Sequence, residues 1–479
     1  MNQSINFSLL TSEVFLLCAI CVILIVDLFQ RDKERKLTFN LTLVSLVTLF
    51  ILDVNQINVL REVGFYGHWV QDQLAVILKL AIYATTFIAL LYARPFINHR
   101  ALMRGEYYIL TLFSVLGMMI MVSANSFLIV YLGLELLSLS LYALIALQRD
   151  SKSASESAVK YFVMGGLASG FLLYGISLMY GATGSILIAD VAAHFNENQS
   201  SLIGKFGLVF IVIGLAFKFG AVPFHMWLPD IYHGAPSSIS AFISSVPKIA
   251  AFGMAMRLLV EAFSQLVTDW STMILILALL SVIFGNLIAV VQTNLKRLLA
   301  YSAIAHIGYF LLGIVTATPE GNSAAMFYII VYALMTVAGF GIVILMSTEE
   351  KEYQNISDLR GLGRFHPWYG LMFAVVMVSM AGIPPFLGFW PKLEIFRQLI
   401  LNDYIVEAVI AIAFSVVGLF YYLKVIKEMF FTDATDSPEI TSSRSLKVAI
   451  SVNCLLLVII GLMPDSIFEY CISAFKAIS

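Results

Sequence analysis

Charge is what this sequence has least of. Asp, Glu, Lys and Arg together supply 12% of 479 residues, hydrophobic types supply 60%, and the mean hydropathy is +0.92. A water-soluble chain of this length needs far more charge to cover its surface, so the solvent of the fold is lipid. Cysteine is scarce as well, with four residues. Cys18 and Cys21 form a CxxC, yet it lies in an apolar run with no acidic or histidine companion, which favours ordinary packing over a redox or zinc site. Cys454 and Cys471 have no motif around them. There is no P-loop, and the glycines of "GGLASG" (165–170) fall inside an apolar run, where they suit close helix packing. A net charge of -2 leaves no electrostatic footprint for a nucleic acid partner.

What is present is a succession of apolar runs, each long enough to cross the hydrocarbon. They fall at 9–29, 37–54, 74–94, 106–123, 126–147, 158–181, 205–225, 239–260, 272–292, 298–315, 324–346, 369–398 (interrupted), 404–428 and 446–464. The expected fold is therefore an all-α polytopic membrane protein of about fourteen spans. The first run has no basic segment before it and no small-residue cleavage site after it, so it reads as a retained helix. The 36 Phe and 21 Tyr do not signal a transmembrane barrel, because the runs are too long and their period is helical. Lys and Arg concentrate in alternate loops. Arg31, Lys33, Arg35, Lys36, Arg100, Arg104, Arg149, Lys152, Lys296, Arg297, Lys351, Arg360 and Arg364 are among them, whereas the opposite loops hold only Arg61, Lys205, Arg397 and Lys476. The positive-inside rule then places the first set in the cytoplasm and both termini on the opposite side.

An internal repeat is visible in "GAVPFHMWLPD" (220–230) and "GIPPFLGFWPK" (382–392). Gly220 matches Gly382, Pro223 matches Pro385, Phe224 matches Phe386 and Pro229 matches Pro391. Asn125 with Asn294, and Gly170-Phe171 with Gly339-Phe340, are weaker echoes at a similar spacing. Five spans separate the copies, an odd number, so the second must run through the membrane in the opposite sense. Inverted repeats with a proline-broken helix in each half are characteristic of transporters whose path lies near the midplane. A proline removes one N–H and frees a carbonyl one turn earlier, which lipid cannot satisfy, so these breaks belong beside a hydrated cavity.

Each ionisable group inside a span costs about 2.5–3.5 kcal/mol on insertion scales and so calls for a reason. Glu135 sits within the fifth span, Lys218 in the seventh, Lys248 in the eighth, His306 in the tenth, and Lys392 at the break of the twelfth. Lys79 and Lys160 lie nearer span ends, where snorkelling to the headgroups competes with a functional role. For the central charges two readings stand: a static Glu135–Lys218 pair that holds helices together, or a line of groups that give up and regain protons. Three buried lysines against one matching carboxylate favour the second. His225 follows the break and could hand on protons, while His233, in what reads as a polar loop, serves as well for capping or packing. His68, His99, His194 and His366 are expected in loops, at the surface.

"FKFGAVPFHMWLPDIYHGAPSSISAFISSVPKIA" (217–250), "NLKRLLAYSAIAHIGY" (294–309) and "MAGIPPFLGFWPKLEIF" (380–396) resemble the central signatures of the antiporter-like membrane subunits of respiratory complex I and of Mrp-type cation/proton antiporters. "VKYFVMGGLASGFLLYGISLMYGATGS" (159–185) resembles the bacterial NADH:quinone oxidoreductase branch. The resemblance implies three flanking helices in 1–105, five-helix units in 106–265 and 266–430, and a loop, last helix and tail in 431–479. It implies that Glu135, Lys218, Lys248 and Lys392 form a proton path, with Lys392 where some paralogues carry glutamate. It also implies no cofactor in this chain: NADH, FMN, iron–sulfur clusters and quinone would belong to partner subunits. Its partners would be other membrane subunits of the complex, among them a neighbouring antiporter-like subunit and small membrane subunits. Its place would be the bacterial inner membrane. A self-standing sodium/proton antiporter component is the other reading, although a sodium site wants several oxygen ligands where this path offers lysines.

Overall fold

The computed structural model describes residues 6–32, 34–98, 102–197, 201–348, 352–433, 440 and 442–476. Its elements are almost all helical. The N-terminal flank comprises α1 (Thr11–Phe29), α2 (Lys36–Val54) and α3 (Gln73–Asn98), with a short hairpin, β1 (Glu62–Gly64) and β2 (Trp69–Gln71), before α3. Then come α4 (Gly105–Val122), α5 (Phe127–Ala146), α6 (Lys152–Thr183), α7 (Ile188–Glu197), α8 (Leu202–Phe219), α9 (Trp227–Gly234) and α10 (Ser237–Ala255). A π-helical turn, Met256–Ala262, extends α10. The remainder is α11 (Val267–Val291), α12 (Leu295–Val315), α13 (Pro319–Met346), α14 (Leu362–Phe365), α15 (Pro367–Ala381), α16 (Phe389–Leu401), α17 (Ile405–Phe430), α18 (Arg444–Leu462) and α19 (Asp465–Lys476). His99, together with Lys33, Arg100 and Lys351 of the basic loops, lies outside the described residues.

Thirteen of these helices are long and apolar enough to cross a membrane, and the broken pair α15/α16 makes a fourteenth crossing, matching the expected runs. Local chemistry sets their ends. Ser126, Ser151, Ser201, Asn294, Thr318 and Ser443 each accept a hydrogen bond from an amide in the first helical turn, using a side-chain oxygen to satisfy a donor the helix itself cannot. Gly220 and Gly382 close α8 and α15 with φ of +79° and +83°, a left-handed conformation that a side chain would strain. The centre of the bundle is α10, α12 and α13, buried along nearly their whole length, while α1, α2, α17 and α18 expose Val, Leu, Ile and Phe to lipid.

The repeat is written in backbone hydrogen bonds. Before α5, Phe127 N donates to Ile186 O and Ile188 N to Asn125 O; before α12, Leu295 N donates to Gln354 O and Ile356 N to Thr293 O, each 168 residues further on. The helix breaks repeat as well. Ala221 N donates to Ala216 O and Ile383 N to Val378 O, and Val222–Pro223 and Pro384–Pro385 are both cis. The cap register pairs Ser126, not Asn125, with Asn294, since those two residues are the N-caps. From α5 the chain crosses five times before α12 begins, so the two copies run in opposite directions.

Several local expectations need correction. Lys218 is not central in an unbroken span: it is the penultimate residue of α8, directly before the break. His194 and His233 sit on α7 and in the last turn of α9 rather than in loops. His366 is half-buried at the start of α15, and His68 is half-buried with Nδ1 sealed from solvent. Lys79 does not snorkel, being wholly buried against Glu13. Lys296, read as a loop residue, is buried on α12, where Nζ donates to Ala235 O at 2.6 Å and lies 3.5 Å from Glu352. Cys18 and Cys21 are exposed on α1. In "GGLASG" only Gly165 packs closely, with Tyr142 Oη where its Cβ would be, whereas Gly166 and Gly170 face open space.

A close backbone approach between helices is made elsewhere. A Cβ on Gly117 would lie 2.6 Å from Leu137 N, and one on Gly133 2.8 Å from Met121 N, so α4 and α5 touch backbone to backbone. Gly133→Val should therefore cost about 1–3 kcal/mol or more through overpacking, visible as reduced abundance of assembled protein on native gels. Gly166→Ala should leave abundance unchanged.

Candidate functional site

The sequence marks Glu135, Lys218, Lys248, His306 and Lys392 as buried charges, and the fold brings them to the two helix breaks and the helices packed on them. Lys218, Lys248, His306 and Lys392 are 8%, 1%, 3% and 6% exposed, and Glu135 is half-buried. At the first break the Lys218 ammonium, on the last turn of α8, donates to Ser138 Oγ on α5 at 3.0 Å. Glu135, one turn before Ser138, accepts a hydrogen bond from Ser169 Oγ of α6, which in turn lies 3.1 Å from Tyr131 Oη. A cavity of about 20 Å³ lies among Glu135, Ser138, Ser169 and Lys218. That is room for one water. Among the described residues no Lys218–Glu135 ion pair closes, so the static pair is not the arrangement seen.

Lys248 reaches the same break from α10. Its Nζ donates to Lys218 O at 3.2 Å and Phe219 O at 2.6 Å, and sits 5.0 Å from the Trp227 ring. These are carbonyls that the end of α8 leaves without an intrahelical donor. At the second break Lys392, on α16, donates to Met380 O at 3.3 Å, Ala381 O at 2.9 Å and Ser415 Oγ at 3.3 Å, and lies 5.0 Å from the Tyr309 ring. Phe219 and Ala381 are the residues before the two left-handed glycines, so both breaks present matching carbonyl pairs to an ammonium. Trp227 Nε1 donates to Phe217 O at 3.0 Å and completes the first set.

Hydroxyl side chains that the sequence reading did not select surround His306. His306 Nδ1 lies 2.7 Å from Tyr328 Oη and Nε2 lies 3.0 Å from Tyr422 Oη, which is 2.5 Å from Ser302 Oγ. Asn286 bridges Tyr309 and Tyr421, each at 3.2 Å, and Tyr421 lies tilted against Tyr422 with ring centroids 4.3 Å apart. Tyr332, 5.4 Å from the His306 ring, donates to Ser244 O on α10, one turn before Lys248. The available signal was buried tyrosine at helical spacing inside apolar runs, "YIIVY" (328–332) above all.

Two candidates stand apart. Lys160 is not in this line: its side chain is 42% exposed and pairs with Glu156 at 2.7 Å and Asp230 at 3.1 Å, with Arg297 on the other side of Asp230 at 3.2 Å. His225 is half-buried in the break, its Nδ1 without a hydrogen-bond partner, and it touches neither Lys218 nor Lys248 through a hydrogen bond. Among the described residues no group of three His, Cys, Asp or Glu side chains could hold a metal ion.

Two oppositely running copies, each with a proline-broken helix whose freed carbonyls face a buried ammonium, define a polytopic antiporter-like membrane protein. Residues 124–418 match the family model described as NADH:quinone oxidoreductase/Mrp antiporter, transmembrane. NADH-quinone oxidoreductase subunit N of Nitrosomonas europaea is 46% identical over 465 residues, which is 97% of each chain. Among solved structures, respiratory complex I from Thermus thermophilus matches with a TM-score of 0.81 and 29% identity, over 96% of this chain and 99% of that one. The Mrp complex from Dietzia sp. DQ12-45-1b matches with a TM-score of 0.87 over 98% and 97% of the two chains, but at 19% identity that likeness speaks to fold alone. The chain belongs to the NADH:quinone oxidoreductase/Mrp antiporter family, and within it to the group of the subunit N proteins.

Ser138 is the side chain that holds Lys218 in place. Ser138→Ala leaves a buried ammonium without that acceptor, a local cost of about 1–3 kcal/mol, and should slow proton-coupled turnover several-fold with assembly intact. Ser138→Thr keeps the hydroxyl and should restore most of the rate, read as proton uptake by membrane vesicles.

Proposed function

We propose that this chain is a proton-translocating membrane subunit of NADH:quinone oxidoreductase, in which protons pass along the membrane midplane through Glu135, Lys218 and Lys248 and then through His306 to Lys392. One observation carries the reading: three buried ammonium groups sit at helix breaks on carbonyl and hydroxyl oxygens, and among the described residues no carboxylate is in direct contact with them. A lysine held by neutral oxygens can lose its proton without stranding a bare carboxylate beside it. The half-buried Glu135 lines the same small cavity as Lys218 and can bias that ammonium when the carboxylate moves. His306, between two tyrosine hydroxyls, can pass a proton between them by exchanging its ring nitrogens.

Redox chemistry in partner subunits, which would hold the NADH, FMN, iron–sulfur and quinone sites, supplies the driving force in this reading. The neighbours are other membrane subunits of the complex, including an antiporter-like one and small ones. The five-helix units are residues 106–265 and 266–430, flanked by 1–105 and 431–479. The chain lies in the bacterial inner membrane with both termini periplasmic, as the loop charges favour. Against a Mrp-type sodium/proton exchange stands the donor set at the breaks, where ammonium groups occupy the oxygens a sodium ion would need. His225 and Lys160 lie at the margins of this path, as an exit group and as a member of a surface ion network.

Lys218→Ala should lower NADH-driven proton uptake and quinone reduction by about tenfold or more, while NADH:ferricyanide activity, which reports the electron-input module, stays normal. Normal pumping in that variant would reduce the buried lysines to structural caps.

A further inference from the structure

Three charges lie outside the broken helices, in the N-terminal flank beyond the stretch matched by the family model. Glu13 on α1, Asp53 on α2 and Lys79 on α3 are all buried in the membrane-spanning part of the fold. Lys79 Nζ is 2.5 Å from Glu13 Oε1. Asp53 accepts hydrogen bonds from Tyr83 Oη at 2.8 Å and from Ser12 Oγ, the side chain next to Glu13. Glu13 Oε2 is sealed from solvent and meets no hydrogen-bond donor.

Among the described residues, the remaining neighbours add no positive charge. Lys79 faces the ring of Trp69 and Gln71 Oε1, the latter at 3.5 Å. Asp72, which follows Gln71, is taken up by Arg257, both guanidinium nitrogens donating to its carboxylate at 2.7 Å. Arg257 also holds Glu261, which pairs with Arg61 at 2.5 Å, so that second cluster is neutral by itself. Two carboxyl groups are thus buried here with one ammonium, which pairs directly with Glu13. Fully ionised, they would leave a net negative charge sealed in the protein interior, which a buried site avoids by taking up a proton. A carboxyl pair that shares a site binds that proton jointly.

We propose that Glu13, Asp53 and Lys79 form a proton-binding site, separate from the broken helices, that holds one proton between its two carboxyl groups. The proton comes from water and converts one carboxylate to the acid. Its route is a polar file toward the membrane face where the chain begins: Lys79 to Gln71, and Gln71 Nε2 to Gln56 Oε1 at 2.7 Å. The site stands independently of the relay above, because it depends only on the burial and count of charges.

Infrared spectra of the intact complex containing this chain, as wild type, Glu13→Gln and Asp53→Asn, test the site. The expected result at neutral pH is a carboxylic-acid C=O band in the wild type that shifts in D2O and is lost in at least one variant. Spectra in which neither substitution removes such a band overturn the proposal. If a substitution blocks assembly, the wild-type complex is treated with dicyclohexylcarbodiimide, which modifies protonated carboxyl groups in apolar surroundings, and mapped by mass spectrometry. An adduct on Glu13 or Asp53 that fades as pH rises supports the site, and its absence from both overturns it.

Discussion

The arrangement depends on one constraint: in lipid, a backbone carbonyl released from a helix must find a donor inside the protein. Both proline breaks release such carbonyls, at Lys218 and Phe219 and again at Met380 and Ala381, and in both places a lysine ammonium supplies the donor. The break and the buried charge therefore explain each other. Without the ammonium the carbonyls would be orphaned, and without the carbonyls the ammonium would be a bare cation in hydrocarbon. The left-handed glycines and the wholly buried α10, α12 and α13 keep these groups away from the acyl chains.

The same constraint shapes what lies between the breaks. Tyr309, Tyr328, Tyr332, Tyr421 and Tyr422 are buried, and each finds a hydrogen-bond partner in His306, Asn286, Ser302 or a main-chain carbonyl. Phenol groups suit this place because the ring belongs to the apolar interior while the hydroxyl both gives and takes a hydrogen bond. Charge is kept at the ends of the line, and neutral, reorientable groups fill its middle.

Much of this was legible in the sequence, for reasons that differ by feature. Span number and position follow from hydropathy, because a membrane imposes a fixed length on every crossing. The breaks were legible because Gly220, Pro223, Gly382 and Pro385 are needed for backbone geometry, and few other residues could replace them. Lys248, His306 and Lys392 were legible because a charge in an apolar run is conspicuous. What could not be read was the identity of each charge's partner. Lys160 and Lys296 fall in similar basic, loop-proximal sequence, yet one is exposed and the other buried, since only the packing of α6, α9 and α12 decides. Glu13 and Asp53 lie at span ends where a solvated carboxylate is expected, and only α3 covering them makes them interior. The short helices α7 and α19 escaped notice because ten or twelve residues of mixed polarity resemble a loop until they are seen lying on the bundle.

The two ammonium caps arrive by different routes. Lys248 comes from a neighbouring helix, α10, whereas Lys392 comes from the far half of the very span it closes. Sliding α10 along α8 would withdraw the first cap and leave the second untouched. The ammonium at the first break thus joins two spans while that at the second joins the two halves of one, so repetition of the fold does not carry with it an identical dependence of its halves on their neighbours.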